Sequence, residues 1–136
     1  MILDSSALVA IIRREPGHGV LLDALAGTSA AGVGAPTLVE AGIVLSARMG
    51  VVGRTLLARV VHDAGLTIVP FSAPHWSVAV DAFGRFGKGR HAAALNFGDC
   101  LTYATARIAG QPLLCLGDDF AKTDLELVPI DLPGDF

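Results

Sequence analysis

The chain has 136 residues, 52% hydrophobic and 17% charged, and its 10 Lys+Arg against 13 Asp+Glu leave a net charge of −3. That balance fills the core of one domain over residues 1–136, and it excludes both a disordered chain and nucleic-acid binding through bulk positive charge. The mean hydropathy of +0.58 is inflated by Ala and Gly, and no stretch of about 18 apolar residues lacks a charge or a breaker, so no membrane-spanning helix is expected.

The run Met1-Ile2-Leu3-Asp4 predicts a buried strand that ends on an acid. Asp4 also interrupts the apolar run before a signal-peptide core can form. A helix follows, opened by a Ser cap at Ser5-Ser6 and ended by Pro16-Gly17. Val20, Leu21, Leu22 and Leu25 predict a second short helix closed by Gly27. Residues 30–35 are small and apolar and read as a weak strand. Pro36 suits a first helical turn, so a helix is predicted over 37–49, ended by Gly50. A further amphipathic helix is predicted over 52–64, with Leu56, Leu57, Val60 and Val61 on one face.

Residues 66–69 predict a strand, and Pro74 opens a helix through Trp76, Val80 and Phe83. The texture then changes between 84 and 95, where Arg85, Lys88, Arg90 and His91 occur with three glycines and no acid. The middle of this segment is predicted to be an exposed loop. A helix over 99–109, a buried strand over 113–116, a turn over 117–120 and an edge strand over 127–130 complete the chain; Pro129 favours the edge position. Strands alternating with helices predict an α/β/α sandwich around a mostly parallel sheet. The two cysteines, Cys100 and Cys115, fit no zinc spacing and read as reduced and buried, which points to the cytoplasm.

Ligands in such folds bind at the carboxyl ends of the strands. Asp4 closes the first strand there, and Asp118 or Asp119 closes the fourth. Asp99 starts one helix and Glu40 lies in the first turns of another. Each acid by itself has an ordinary structural reading as a cap, a dipole partner or a solvated turn. Gathered in one pocket they would repel, by roughly 4 kcal/mol for a pair about 4 Å apart at an effective dielectric near 20. Such a cluster calls for protons or a cation, and oxygen donors without His or Cys select Mg²⁺ or Mn²⁺ over Zn²⁺.

Four segments carry a resemblance to a known family. Ile2-Leu3-Asp4-Ser5-Ser6-Ala7-Leu8-Val9-Ala10 resembles the opening of PIN-domain ribonucleases, and Ala35-Pro36-Thr37-Leu38-Val39-Glu40-Ala41 resembles their second acidic motif. Gly87-Lys88-Gly89-Arg90-His91 with Leu95-Asn96-Phe97-Gly98-Asp99-Cys100 is similar to a subgroup of VapC-type toxins, the toxic half of bacterial VapBC toxin–antitoxin pairs. Leu114-Cys115-Leu116-Gly117-Asp118-Asp119-Phe120, with Thr123-Asp124, resembles their last motif, so the likeness runs from residue 2 to 124.

The resemblance implies a PIN-like fold and a Mg²⁺-dependent endoribonuclease, with Mn²⁺ as substitute. Asp4, Glu40, Asp99 and Asp118 are then the catalytic acids, and Asp4, Asp99 and Asp118 hold the metal. Many PIN domains carry the fourth acid where this chain has Gly117, so Asp119 and Asp124 rival Asp118. Ser6 and Asn96 are candidates to support the acids. Arg85, Lys88 and Arg90 are candidates for phosphate contact. The implied partners are RNA and a cognate VapB-type antitoxin. The apolar helices between 36 and 64 are expected to bind an antitoxin helix and help form a homodimer. Two other readings start from the same residues: an aspartate-based phosphotransfer domain acting through Asp4, and a non-catalytic PIN-like binding module.

Overall fold

The computed structural model describes residues 1–132; the last four residues of the expected domain, 133–136, lie outside the described residues. Four parallel strands, β1 (Ile2–Leu3), β2 (Gly32–Gly34), β3 (Thr67–Val69) and β4 (Leu113–Leu114), form one sheet in the order β3-β2-β1-β4. β1 pairs Ile2 with Gly32 on one side, and Ile2 and Leu3 with Leu113 and Leu114 on the other. Strand pleat sends alternate side chains to opposite faces. Leu3, Val33 and Leu114 therefore join the core under α1 (Ser5–Arg13), α2 (His18–Ala26), α3 (Ala35–Met49) and α4 (Val51–Asp63). Ile2, Leu113 and Cys115 join the opposite core, under α5 (Ala73–Phe86) and α6 (Phe97–Ala109). These are the three layers expected from the alternation of elements, and the sheet is parallel throughout the described residues.

Three expectations are corrected. The cap of α1 is Asp4, whose carboxylate accepts from the backbone N–H of Ser6, so the first helix is not opened by a serine side chain. That helix ends at Arg14, in the left-handed conformation at φ 53°, with its N–H on the carbonyls of Ala10 and Ile11, before Pro16 is reached. The 127–130 run is not a strand: only Leu127 bridges Leu113, and Pro129 has no N–H with which to extend the ladder.

β2 and β3 lie on one side of β1, and β4 lies on the other. The chain leaves β1 towards the α1–α4 layer, whereas the segment after β4 turns to the opposite layer, where Phe120 is buried. The carboxyl ends of β1 and β4 therefore face a topological switch point, the place where an open parallel sheet forms a crevice.

Candidate active site

A cleft of about 510 Å³ opens at this switch point, and Asp4, Glu40, Asp99 and Asp119 all line it. They come from four elements: the end of β1, the second turn of α3, the first turn of α6, and the turn after β4. The sheet thus gathers acids spread over the length of the chain.

Each of three carboxylates is held by one or more hydrogen bonds. Asp4, 5% exposed, accepts from Thr102 Oγ1 on one oxygen at 3.0 Å and from the Ser6 N–H on the other at 3.2 Å. Glu40 accepts from Ser5 Oγ at 2.8 Å through Oε1. Asp99 and Asn96 cap each other: the Asp99 N–H donates to Asn96 Oδ1 at 2.9 Å, and the Asn96 N–H donates to Asp99 Oδ2 at 3.0 Å. Ser6 Oγ accepts from the Leu116 N–H at 3.0 Å and so ties the end of β4 to the start of α1. Ser6 and Asn96 thus reach the Asp4 and Asp99 carboxylates through their backbone N–H groups, while their side chains accept from the backbone N–H groups of Leu116 and Asp99.

Burial is the largest influence on Asp99 and pushes its carboxyl up. The Asn96 N–H opposes that push, and the charges of Asp4, Asp119 and Glu40 add to it, bringing Asp99 to about 6. The same charges reach the thiol of Cys115. Burial first, then Asp4, Asp119 and Asp99, push it to about 12, so it stays protonated and offers no soft thiolate donor. The donor set is carboxylate oxygen, which suits a hard divalent cation such as Mg²⁺ or Mn²⁺. Among the described residues no three His, Cys, Asp or Glu side chains are already grouped as ligands of one ion. The match is therefore one of donor chemistry and mutual charge.

Asp118 does not line the cleft; Asp119 does. Gly117 turns the chain at φ 99°, a conformation that favours glycine, just before the two acids. Asp124 is also elsewhere. Arg85 and Arg107 reach its Oδ2 at 3.0 and 2.6 Å, and Tyr103 donates to its Oδ1 at 2.7 Å. Burial raises the Asp124 carboxyl, but these hydrogen bonds and charges outweigh it and hold the group below its ordinary value. It is a structural knot between α5, α6 and the C-terminal segment.

That knot engages Arg85, whose guanidinium also lies 4.7 Å from the Phe86 ring centre. Arg90 lies over Phe83 at 5.7 Å. Neither of these, nor Lys88, lines the cleft. The cation that does is Arg48, which the sequence reading missed. Glu40, Val44 and Arg48 follow one another at four-residue spacing and so share one face of α3. That spacing was the available signal. Ser5 was missed as well, because its role depends on a contact 35 residues away.

Comparison with known proteins places these features. The PIN-domain family model matches residues 1–126. Ribonuclease VapC36 of Mycobacterium tuberculosis is 51% identical over 127 residues, covering 93% of this chain and 91% of that protein. Two solved structures share the fold. One is M. tuberculosis VapC20, described as a Sarcin-Ricin loop cleaving toxin, with a TM-score of 0.77 and 18% identity over 93% of this chain and 97% of that one. The other is VapBC2 from Rickettsia felis bound to a DNA fragment from their promoter, with a TM-score of 0.71 and 18% identity over 96% and 98%. The match over nearly the whole length, in sequence and in fold, establishes that the chain belongs to the PIN-domain family and, within it, to the VapC ribonucleases.

Proposed function

We propose that this chain is a metal-dependent endoribonuclease toxin that hydrolyses RNA phosphodiester bonds and is neutralised by a cognate antitoxin. One observation carries the reading: four carboxylates from distant parts of the chain line a single cleft at the switch point of the sheet. The name of the 51% identical relative supports the same class of activity.

Asp4, Asp99 and Asp119 would hold Mg²⁺ or Mn²⁺, with Glu40 as a further ligand or as the group that orients the attacking water. The cation supplies charge stabilisation at the phosphoryl oxygens and the leaving oxygen. The protein supplies rigidity. The Asn96 N–H holds Asp99 Oδ2, and the Ser5 hydroxyl holds Glu40 Oε1. Arg48 gives the acidic mouth a cation for an RNA phosphate beside the scissile one. The backbone positions of Glu40 and Arg48 lie about 12 Å apart along α3 at 1.5 Å per residue, and both side chains line the cleft.

The test is cleavage of RNA by purified protein with Mg²⁺ or Mn²⁺ and with EDTA. EDTA is expected to abolish cleavage and added metal to restore it, leaving products with 5′-phosphate ends. Cleavage that resists EDTA, or products ending in a 2′,3′-cyclic phosphate, would sink the reading. In the same assay Arg48→Ala is expected to raise KM with little change in kcat. A stable aspartyl-phosphate adduct at Asp4 would favour the phosphotransfer reading instead.

The antitoxin surface we assign to α3 and α4. Val39, Ile43, Val51 and Val52 are exposed there, more apolar surface than a solvated helix pair needs. The solved VapBC2 assembly from Rickettsia felis supports an antitoxin partner for this fold. A homodimer is part of the same proposal, and a monomer in sedimentation at micromolar concentration would count against it. No helix among the described residues is long and apolar enough to cross a membrane.

A further inference from the structure

Beneath the cleft floor lies a short chain of buried hydroxyls. Thr102 Oγ1 is 3.0 Å from Asp4 Oδ1, and Thr37 Oγ1 is 3.0 Å from Thr102 Oγ1. Thr37 is 2% exposed and Thr102 is 0% exposed. A hydroxyl has a single proton to give. Thr102 gives its proton to the Asp4 carboxylate, so the bond between the two threonines has one direction, with Thr37 donating. The order is Thr37 to Thr102 to Asp4.

The positions of these threonines link them to the other acids. Thr37 precedes Glu40 by three residues on α3, and Thr102 follows Asp99 by three residues on α6. Residues three apart lie on neighbouring positions of one helix face. The hydroxyl chain therefore joins the two helices that carry Glu40 and Asp99 to the strand end that carries Asp4. Buried hydroxyls without partners cost about 1–3 kcal/mol each, and core packing alone is served as well by Val at either place. A pair of threonines bonded in series to a cleft carboxylate has a use if that carboxylate must stay in one orientation.

We propose that Thr102 and, through it, Thr37 are positioning residues that set the divalent-cation affinity of the cleft by fixing Asp4. This rests on the reading of the cleft as a cation site. Thr102→Val keeps the shape and removes the donor, whereas Thr102→Ser keeps the donor. Groups that orient metal ligands are typically worth about 10–100-fold in metal affinity.

The experiment is Mn²⁺ titration by calorimetry of wild type, Thr102→Val, Thr102→Ser, Thr37→Val and the double Val variant. Thermal unfolding in EDTA serves as the check on folding. Thr102→Val is expected to weaken Mn²⁺ binding about 10–100-fold, and Thr102→Ser to restore most of it. Thr37→Val is expected to have a smaller effect, and the double variant to match Thr102→Val, because Thr37 acts only through Thr102. Wild-type affinity in Thr102→Val would overturn the proposal, as would additive losses in the double variant. If Thr102→Val does not fold, Thr37→Val alone decides, with unchanged affinity as the adverse result. A wild type that binds no Mn²⁺ would overturn the cation-site reading itself, which is a different failure.

Discussion

Asp99→Asn is expected to lose RNA cleavage by at least about 100-fold while making the metal-free protein more stable at neutral pH. The two effects have one cause. Asn keeps an oxygen to accept from the Asn96 N–H, so the cap of α6 survives. What disappears is a charge that burial, first, and the charges of Asp4, Asp119 and Glu40 make costly. The sign follows from linkage. Burial, with the neighbouring charges, pushes the native carboxyl up to about 6, against 3.8 for a free aspartate. The native state therefore holds the proton more tightly than the unfolded chain. Stability contributed by this group falls as pH rises from about 4 to about 6, and the penalty is complete above that range. Asn carries no such penalty. After allowance for solvent screening at a half-exposed carboxyl, the gain at pH 7 is about 1–2 kcal/mol, or roughly 3–6 °C in Tm. Thermal unfolding in EDTA from pH 4 to 8 should show the two proteins converging at the acid end. A variant that is less stable at pH 7, or one that still cuts RNA, would remove Asp99 from the site.

The same residue shows why part of the site was legible in the sequence. An Asp three residues after an Asn at a helix start has few geometries open to it, and an Asp directly after a two-sided apolar strand must stand at the sheet end. Asp4 and Asp99 are fixed by local rules of this kind. The choice between Asp118 and Asp119 is not. It depends on the turn after β4, which begins at Gly117 with φ 99° and leaves Asp119 rather than Asp118 lining the cleft. Asp124 has the same charge as the others, and what distinguishes it is the approach of Arg85 from α5 and Arg107 from α6. Arg85 looked free for RNA in the sequence for the same reason: its partner is 39 residues away. The helices were readable because apolar spacing and end residues such as Pro36 and Gly50 act within a turn or two. The 127–130 run misled because apolar content says nothing of whether a ladder can be completed around a proline.

Gly98→Ala is expected to leave stability intact and to cut cation affinity and cleavage about 10–100-fold. Gly98 is in the first turn of α6, and it is not among the residues with positive φ. In a helical backbone Ala is favoured over Gly by up to about 1 kcal/mol. Local propensity thus argues for Ala, yet the chain has Gly. The reason stands on α3: a Cβ at position 98 would fall on the carboxylate of Glu40. A carboxylate at the end of a flexible side chain can swing aside, so folding tolerates the methyl group. The displaced Glu40 then loses the Ser5 Oγ bond that holds Oε1 at 2.8 Å, and with it the orientation of its carboxylate. Glu40→Gln provides the complementary change, because it keeps the position and removes the charge. If both variants lose activity at wild-type Tm, Glu40 must be both charged and held in place. If Gly98→Ala cuts RNA like wild type, the orientation of Glu40 is irrelevant to the reaction and the glycine serves only the close packing of α3 against α6.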